Sequence, residues 1–153
     1  MYNIVFVCLG NICRSPMAEF IFLDMLKKEE LQDKIAVSSA GTSSEEQGNG
    51  LHYGAQNELK KNGIPYSYHV AHKITDEEYK NADMVIVMES RNRDSLVRRF
   101  GQDGKTFLLL DFCGGGNIAD PWYTGNFSDS YNDILKGLNA LLKYLKEEIL
   151  RML

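Results

Sequence analysis

The most informative segment of this chain is Asn3–Pro16, which reads Asn-Ile-Val-Phe-Val-Cys-Leu-Gly-Asn-Ile-Cys-Arg-Ser-Pro. Its first part, Ile4–Val7, is a short run of β-branched and aromatic residues, which predicts a buried strand. The turn that follows contains Gly10 and Asn11, two residues that tolerate a positive φ angle. Ser15–Pro16 then predicts a helix start, since serine suits an N-cap and proline suits the first helical position. This order predicts an anion site, because loop N–H groups and a helix N-terminus both favour negative charge.

Two side chains make this predicted anion site reactive. Cys8 stands at the end of the strand, and Arg14 follows it after five intervening residues. A thiol near a helix N-terminus and a guanidinium ionises easily, and the thiolate is the nucleophilic form. The guanidinium matches two phosphate oxygens at once, and the hydroxyl of Ser15 can donate a hydrogen bond to the thiolate. The alternatives are an inert, buried Cys8 and a surface Arg14, and the strand, loop and helix context favours the reactive pair.

Length and composition predict one ordinary globular domain that spans residues 1–153. The chain is 44% hydrophobic and 25% charged, which excludes a disordered or fibrous class. A formal charge of −4 argues against a general affinity for nucleic acid, and no apolar run approaches the ~20 residues that cross a membrane. Cys8, Cys13 and Cys113 are odd in number, which predicts no disulfide framework. Free thiols and the lack of a signal-peptide pattern predict a cytoplasmic protein, although export without a signal would leave no trace in the sequence.

Strand-like and helix-like segments alternate along the chain. The predicted strands are Ile4–Val7, Ile35–Ala40, Met84–Met88 and Phe107–Leu110, and the predicted helices are Pro16–Glu30, Tyr53–Asn62, a short one that begins at Thr75, Arg91–Phe100 and one from Ser128 to the end. This alternation predicts an α/β fold with a parallel sheet and right-handed crossovers. Ligands of such sheets bind at the carboxyl ends of the strands, which is where Cys8 lies. Three consecutive glycines within Cys113–Ile118 predict a mobile segment.

Asp120 follows this glycine-rich segment and precedes Pro121. From the residues alone, a turn aspartate and a general acid are about equally supported. The chemistry favours the acid: a thiolate that attacks phosphorus displaces an aryloxide, which leaves better when it is protonated. A positioned general acid is worth ~10²–10⁴ in rate. The loop also follows the last strand, at the edge of the sheet where Cys8 is expected.

The string Val7–Pro16 resembles the signature of the low-molecular-weight protein-tyrosine phosphatases, and Asp120–Tyr123 resembles the acid loop of that family. The resemblance extends over essentially the whole chain and is weaker between Ser43 and Tyr53. It implies a single-domain three-layer sandwich in which a four-stranded parallel sheet is flanked by helices. It also implies hydrolysis of phosphotyrosine in proteins or peptides, with inorganic phosphate as the product and with no metal or other cofactor.

The resemblance assigns a role to each matching residue. It makes Cys8 the nucleophile, Arg14 the phosphate clamp, and Asp120 the general acid and later the base that activates water. The rest of the phosphate-binding loop is Leu9, Gly10, Asn11, Ile12, Cys13 and Ser15.

Other matching residues lie around this loop. Asn11, Ser39 and His72 match positions whose side-chain hydrogen bonds hold the loop open, although His72 without the resemblance reads as a histidine with no role. Trp122 and Tyr123 match aromatic walls for the substrate ring. Trp122 replaces the first of two tyrosines that are commoner there and sometimes phosphorylated.

Two features of the loop region have alternative interpretations. Cys13 is either a packed thiol or a resolving cysteine that forms a reversible disulfide with oxidised Cys8, and the two interpretations are equally supported. Glu45 and Glu46 stand where the family often has an aromatic residue on the rim. They favour basic residues beside the phosphotyrosine, or they are simply solvated.

The substrate has one close alternative. One branch of the family hydrolyses phosphoarginine and has a threonine before the second loop cysteine. This chain has Ile12 at that position, which offers no hydrogen bond and adds an apolar wall. A guanidinium pressed against that wall would lose hydration at a cost of roughly 1–3 kcal/mol, so we expect phosphotyrosine to be preferred.

Three other functions are less well supported by the sequence. A thiol-dependent arsenate reductase of the same fold needs further cysteines after the third strand, and residues 89–106 contain none. A phosphocarrier module needs neither Arg14 nor Asp120. A binding protein with an inactive pocket would not need the full set of Cys8, Arg14 and Asp120.

Overall fold

The computed structural model describes residues 1–152, and its centre is a sheet of four parallel strands in the order β2-β1-β3-β4. The strands are β1 Tyr2–Cys8, β2 Ile35–Gly41, β3 Met84–Val87 and β4 Thr106–Leu108. All of β3 and most of β1 are buried, because parallel strands covered on both faces must be apolar on both sides.

Helices cover both faces of the sheet. Their bounds are α1 Arg14–Lys28, α2 Tyr53–Lys61, α3 Asp76–Asn81, α4 Ser90–Phe100, α5 Pro121–Thr124 and α6 Phe127–Tyr144. Alternate strand residues belong to two separate hydrophobic cores, since successive side chains of a strand point to opposite faces of the sheet. Ile4 and Phe6 pack with α1, α2 and α6, whereas Val5 and Val7 pack with α3 and α4. The predicted three-layer α/β fold with a four-stranded parallel sheet is therefore confirmed.

Most differences from the predicted elements occur at their ends. The fourth strand stops at Leu108, and Leu109–Cys113 forms a 3₁₀ turn that buries Leu109 in the core beside α6. The last helix is α-helical from Phe127 to Tyr144 and continues as a π turn and a 3₁₀ turn to Met152, while Leu153 lies outside the described residues. The glycines at 114–116 all have positive φ angles, a conformation that other residues rarely adopt, and their mobility stays a prediction.

The carboxyl ends of three strands meet at one edge of the sheet. Cys8 is in register with Gly41, and Val7 is in register with Val87, so the loops after β1, β2 and β3 start side by side. A Cβ atom at Gly41 would lie 2.8 Å from the Leu9 carbonyl oxygen, so only glycine permits this close approach. Among residues 1–152, no helix is both long enough and apolar enough to cross a membrane.

Candidate active site

The loop between β1 and α1 turns its carbonyl groups outward. The carbonyl oxygens of Cys8, Leu9, Asn11 and Ile12 accept hydrogen bonds from Thr42, Ser43, His69 and His52, which all lie outside the loop. In a trans peptide, the C=O of one residue and the N–H of the next point in opposite directions. The N–H groups that follow these outward carbonyls therefore face the concave side of the loop. Asn11 N–H illustrates this, because it points at the Cys8 sulfur at 3.3 Å.

Helix α1 begins at Arg14, one residue before the predicted N-cap. The prediction that Ser15 caps this helix is wrong: Cys13 occupies the N-cap position, and no side chain caps it. The hydroxyl of Ser15 is instead directed at the Cys8 sulfur, 3.0 Å away, and Asn11 Nδ2 donates to the same oxygen. Pro16 lies within the first turn, where its missing N–H costs nothing because that group would have no helical partner. The first-turn N–H groups are therefore not taken by a capping side chain.

A chain of hydrogen bonds runs from Glu19 to the Cys8 sulfur. Ser39 donates its hydroxyl to Glu19 at 2.6 Å and accepts from Asn11 Nδ2 at 3.1 Å, and the second Nδ2 proton goes to Ser15 at 2.8 Å. With one lone pair of Ser15 occupied in this way, its single proton can go either to the Cys8 sulfur at 3.0 Å or to the Ala40 carbonyl oxygen at 3.3 Å. The network therefore connects the Ser15 hydroxyl, which lies beside the Cys8 sulfur, to Asn11, Ser39 and Glu19.

Arg14 is a buried cation held by two carboxylates. Its side chain is 2% exposed; Nη1 bonds Glu89 at 3.1 Å and the Ile118 carbonyl at 2.8 Å, while Nη2 bonds Asp120 at 3.3 Å. The other oxygen of Asp120 accepts the N–H of Trp122 at 3.0 Å and caps α5. Because a buried charge must be paired, these contacts fix the guanidinium at the base of the loop.

These groups share one cleft of about 160 Å³. Its lining contains the two rim acids and every residue predicted for the site except Ser15, Ser39 and His72: Cys8, Leu9, Gly10, Asn11, Ile12, Cys13, Arg14, Glu45, Glu46, Asp120, Trp122 and Tyr123. Trp122 and Tyr123 are 58% and 78% exposed, so they stand at the mouth rather than in the core. Ser15 and Ser39 lie behind the loop. The geometry suits an anion at the base and an aromatic group at the mouth.

Comparison with known proteins identifies the family. The family model for low molecular weight phosphotyrosine protein phosphatases matches residues 3–151. This chain belongs to that family. It is 37% identical over 153 residues to the low molecular weight protein-tyrosine-phosphatase YfkJ of Bacillus subtilis, with 97% of this chain and 98% of the relative covered. It is 36% identical to PtpA of Staphylococcus aureus strain MRSA252 over 97% of this chain and 96% of the relative.

Solved structures agree with the assignment to this phosphatase family. The crystal structure of YfkJ superposes with a TM-score of 0.93 at 36% identity and covers 97% of both chains. A Drosophila arginine phosphatase is also similar, with a TM-score of 0.85 at 28% identity over 95% of this chain and 98% of that one. The chain is therefore a phosphatase, and phosphoproteins are its class of substrate.

One predicted support of this phosphatase's loop is corrected by the structure. The side chain of His72 does not reach the loop, because its Nε2 bonds the carboxylate of Glu78 at 2.8 Å. Only the backbone N–H of His72 contacts Asn11, through Oδ1 at 3.3 Å. The imidazole that holds the loop belongs to His69, whose Nε2 lies 2.7 Å from the Asn11 carbonyl oxygen.

The position of Glu78 explains where His72 points. Burial raises the pKa of Glu78, but hydrogen bonds from Thr75 and His72 outweigh it and leave the pKa below its usual value. Glu78 also forms the capping box of α3 with Thr75, so the position of its carboxylate is set by contacts other than the one to His72. The carboxylate of Glu78, in the first turn of α3, therefore lies within hydrogen-bond distance of the His72 imidazole.

Cys13 is chemically different from Cys8. Burial, followed by the negative charges of Cys8 and Asp120, raises the pKa of Cys13 to about 12. The thiol is 4% exposed and stays protonated at neutral pH. Cys13 therefore does not compete with Cys8 as a nucleophile in the resting enzyme.

Sequence reasoning missed three residues of this site. Glu19 lies one helical turn after Ser15, so helical spacing could have placed it beside the serine. Glu89 follows β3, whose carboxyl end meets that of β1, and the rule for parallel sheets could have placed it there. His69 lies in a segment without regular structure, and no local pattern marks it. Among residues 1–152, no group of three or more potential ligands is arranged to hold a metal ion.

Replacement of Asn11 tests the network that supports the loop. Asn11 is fully buried with a φ angle of 60°, and its side chain makes three of the hydrogen bonds described above. We expect Asn11→Ala to lower the free energy of unfolding by about 2–4 kcal/mol, from lost hydrogen bonds and backbone strain. Urea denaturation measures the loss, and kcat should fall with it.

Asn11→Gly separates the two causes. Glycine adopts the positive φ angle without strain but makes no side-chain hydrogen bond. We expect it to recover about 1 kcal/mol of stability relative to Asn11→Ala and no catalytic activity. Full activity in Asn11→Gly would mean that the side-chain bonds of Asn11 are dispensable.

Proposed function

We propose that this phosphatase hydrolyses phosphotyrosine in proteins through a cysteinyl-phosphate intermediate. The observation that carries the proposal is the Cys8 sulfur, which accepts a hydrogen bond from a loop N–H and lies 3.0 Å from the Ser15 hydroxyl, in a cleft that also contains Arg14 and Asp120. An N–H and a hydroxyl that donate to the sulfur both stabilise a thiolate. Such a thiolate attacks phosphorus, while Arg14 and the loop N–H groups hold the other phosphate oxygens.

Asp120 supplies the proton that the first step needs. As the sulfur–phosphorus bond forms, the bond from phosphorus to the phenolic oxygen breaks, and the protonated carboxyl gives its proton to that oxygen. In the second step the Asp120 carboxylate takes a proton from water, whose oxygen attacks phosphorus and releases Cys8 as thiolate and phosphate as product. The contact of Arg14 with Asp120 at 3.3 Å is long, so a phosphate dianion can replace it.

The cleft mouth supports an aromatic leaving group. Ile12 contributes an apolar side chain to the lining, and Trp122 and Tyr123 contribute rings. An aromatic ring gains from burial against these groups, whereas a guanidinium would lose water without a hydrogen-bond partner at Ile12. These contacts favour phosphotyrosine over phosphoarginine.

The rim supports a preference for charge next to the phosphotyrosine. Glu45 is exposed, and Glu46 lies close to the loop, where a Cβ atom at Gly10 would be 3.1 Å from its Cγ. Both carboxylates line the cleft, so basic residues beside the phosphotyrosine would meet opposite charge. A phosphopeptide panel that varies only these flanking charges measures the preference.

Substitution of Cys8 and Asp120 tests the two chemical steps. We expect Cys8→Ser to abolish turnover of p-nitrophenyl phosphate without metal and with reductant, yet still to bind inorganic phosphate. Asp120→Asn should lower kcat by about 10²–10⁴ for phenyl phosphate, and by less for p-nitrophenyl phosphate, whose leaving group needs less protonation.

Asp111→Asn is the matched control, because Asp111 is exposed and lies outside the cleft lining. It should keep wild-type kcat on both esters. A Cys8→Ser enzyme that turns over at the wild-type rate would refute the covalent mechanism, and an equal loss on both esters in Asp120→Asn would refute the general acid.

Ile12→Thr tests the choice of substrate. The wild-type enzyme should have a higher kcat/KM on a phosphotyrosine peptide than on a phosphoarginine peptide of the same sequence. Threonine adds a hydroxyl that can hydrogen-bond a polar leaving group, so the ratio of the two kcat/KM values should fall by about tenfold. A wild-type enzyme that prefers phosphoarginine would overturn both the role of Ile12 and the assignment of phosphotyrosine.

Oxidation offers a test of Cys13. We propose that peroxide converts Cys8 to its sulfenic acid, which removes the negative charge at Cys8 that helps to keep Cys13 protonated. Cys13 then condenses with the sulfenic acid, with loss of water, to give a disulfide that thiols reduce. Because thiols are needed to reduce this disulfide and restore Cys8, a reducing compartment such as the cytoplasm would suit the enzyme.

After peroxide and then dithiothreitol, Cys13→Ser should regain a smaller fraction of activity than wild type, because its sulfenic acid has no neighbouring thiol. Cys113→Ser is the control, since Cys113 lies outside the cleft lining. Mass spectrometry of the oxidised wild type should show the Cys8–Cys13 disulfide. Equal recovery in all three proteins would leave Cys13 with a packing role.

A further inference from the structure

His52 lies between the phosphate-binding loop and the acid loop. Its backbone N–H donates to the carbonyl oxygen of Ile12 at 3.0 Å. Its ring contacts Trp122 edge to face, with centroids 5.7 Å apart and an angle of 80° between the planes. One residue thus touches both Ile12 and Trp122, the two walls that face a substrate ring.

The ring of His52 is held on both faces. Tyr53 stacks on it with centroids 4.6 Å apart, and Phe127 stacks on it at 5.2 Å. Gly54 makes room for this arrangement, because a Cβ atom at that position would collide with the Phe127 ring. The ring also cannot rotate freely, since Nδ1 accepts the backbone N–H of Gly54 at 3.0 Å and thereby caps α2.

Trp122 has little other aromatic support. Its side chain is 58% exposed, and among the aromatic contacts of residues 1–152 His52 is its single ring partner. An exposed indole gains little from burial, so its orientation depends on the few groups that touch it. The edge-to-face arrangement is one that the charge distribution of aromatic rings favours.

We propose that His52 is a positioning residue that sets the width of the aromatic slot between Ile12 and Trp122. Its backbone fixes one wall and its ring fixes the other, so the distance between the walls follows from one rigid residue. His52 touches the phosphate-binding loop only at the Ile12 carbonyl oxygen, is not among the residues that line the cleft, and takes no part in the bond-making steps. The inference rests on the proposed phosphotyrosine phosphatase activity and adds the residue that shapes its specificity.

Two substitutions separate the ring from the cap. Asparagine at position 52 keeps an acceptor for the Gly54 N–H but has no ring. Phenylalanine keeps a ring for Trp122 but has no acceptor. We expect His52→Asn to raise KM for p-nitrophenyl phosphate and a phosphotyrosine peptide by about two- to tenfold, with kcat nearly unchanged. The inhibition constant of inorganic phosphate, which has no ring, should stay at the wild-type value, and His52→Phe should keep the wild-type KM.

Trp122 itself provides a readout that needs no substrate, because it is the only tryptophan of the chain. In His52→Asn its fluorescence should be quenched more strongly by acrylamide and its emission maximum should shift to longer wavelength. His52→Phe should resemble wild type in both respects. Gly54→Ala keeps the His52 side chain but displaces Phe127, which removes one of the two rings that hold the His52 ring. It should therefore also increase the quenching of Trp122.

Each outcome decides the inference. Unchanged KM and unchanged quenching in His52→Asn would overturn it. A rise of KM in His52→Phe together with a wild-type KM in His52→Asn would assign the effect to the helix cap, an equal rise in both would show that a ring at position 52 is not what matters, and a raised inhibition constant for phosphate would assign the effect to loop integrity; each of these results overturns the inference. If His52→Asn does not fold, Gly54→Ala and His52→Phe give the same decision from fluorescence.

Failure of the proposed function gives a different pattern. A wild-type enzyme that is inactive on aryl phosphates would refute the function. The quenching experiments would still decide whether His52 positions Trp122.

Discussion

The outward orientation of the loop carbonyls is the constraint on which the rest of the site depends. Four carbonyl oxygens are bonded to residues from the loop after β2, from the segment before α2 and from the segment before α3. This leaves the N–H groups on the concave side, where their partial positive charges can stabilise a thiolate and a phosphate. The loop reverses direction at buried Asn11, whose positive φ angle permits this orientation of the peptide groups. The side chain of Asn11 holds this conformation through its hydrogen bonds to Ser15 and Ser39.

Charge balance around Arg14 follows from the same architecture. A buried guanidinium needs partners, and the sheet brings Glu89 from the end of β3 and Asp120 from the acid loop to it. The bond from Glu89 keeps Arg14 paired even where Asp120, the proposed general acid, gives up its longer contact. The buried cation and the acid loop are in this way positioned by one set of contacts.

The sequence was informative where the physics is local. The alternation of strands and helices can be read from local signals, such as the strand pattern of Ile4–Val7 and the glycines that end other elements. In one chain of this size, such alternation leaves few folds other than a parallel α/β sheet. The edge on which Cys8 lies follows from strand direction alone. The exact start of α1 did not follow, because the hydroxyl of Ser15 had a stronger partner in the site than the helix N-terminus.

Residues that act over long sequence distances were decided only by the tertiary structure. Whether His69 or His72 supports the loop depends on how the segment before α3 crosses the end of β2, and the competing carboxylate of Glu78 settles it. The contact of His52 with Trp122 joins positions 70 residues apart in the chain, and no local pattern encodes such a pair. The fold class follows from the sequence alone, and the nucleophilic loop and the acid are predicted from it, because all three depend on short contiguous motifs. The supports and walls of the site come from packing between separate elements, which only the folded chain brings together.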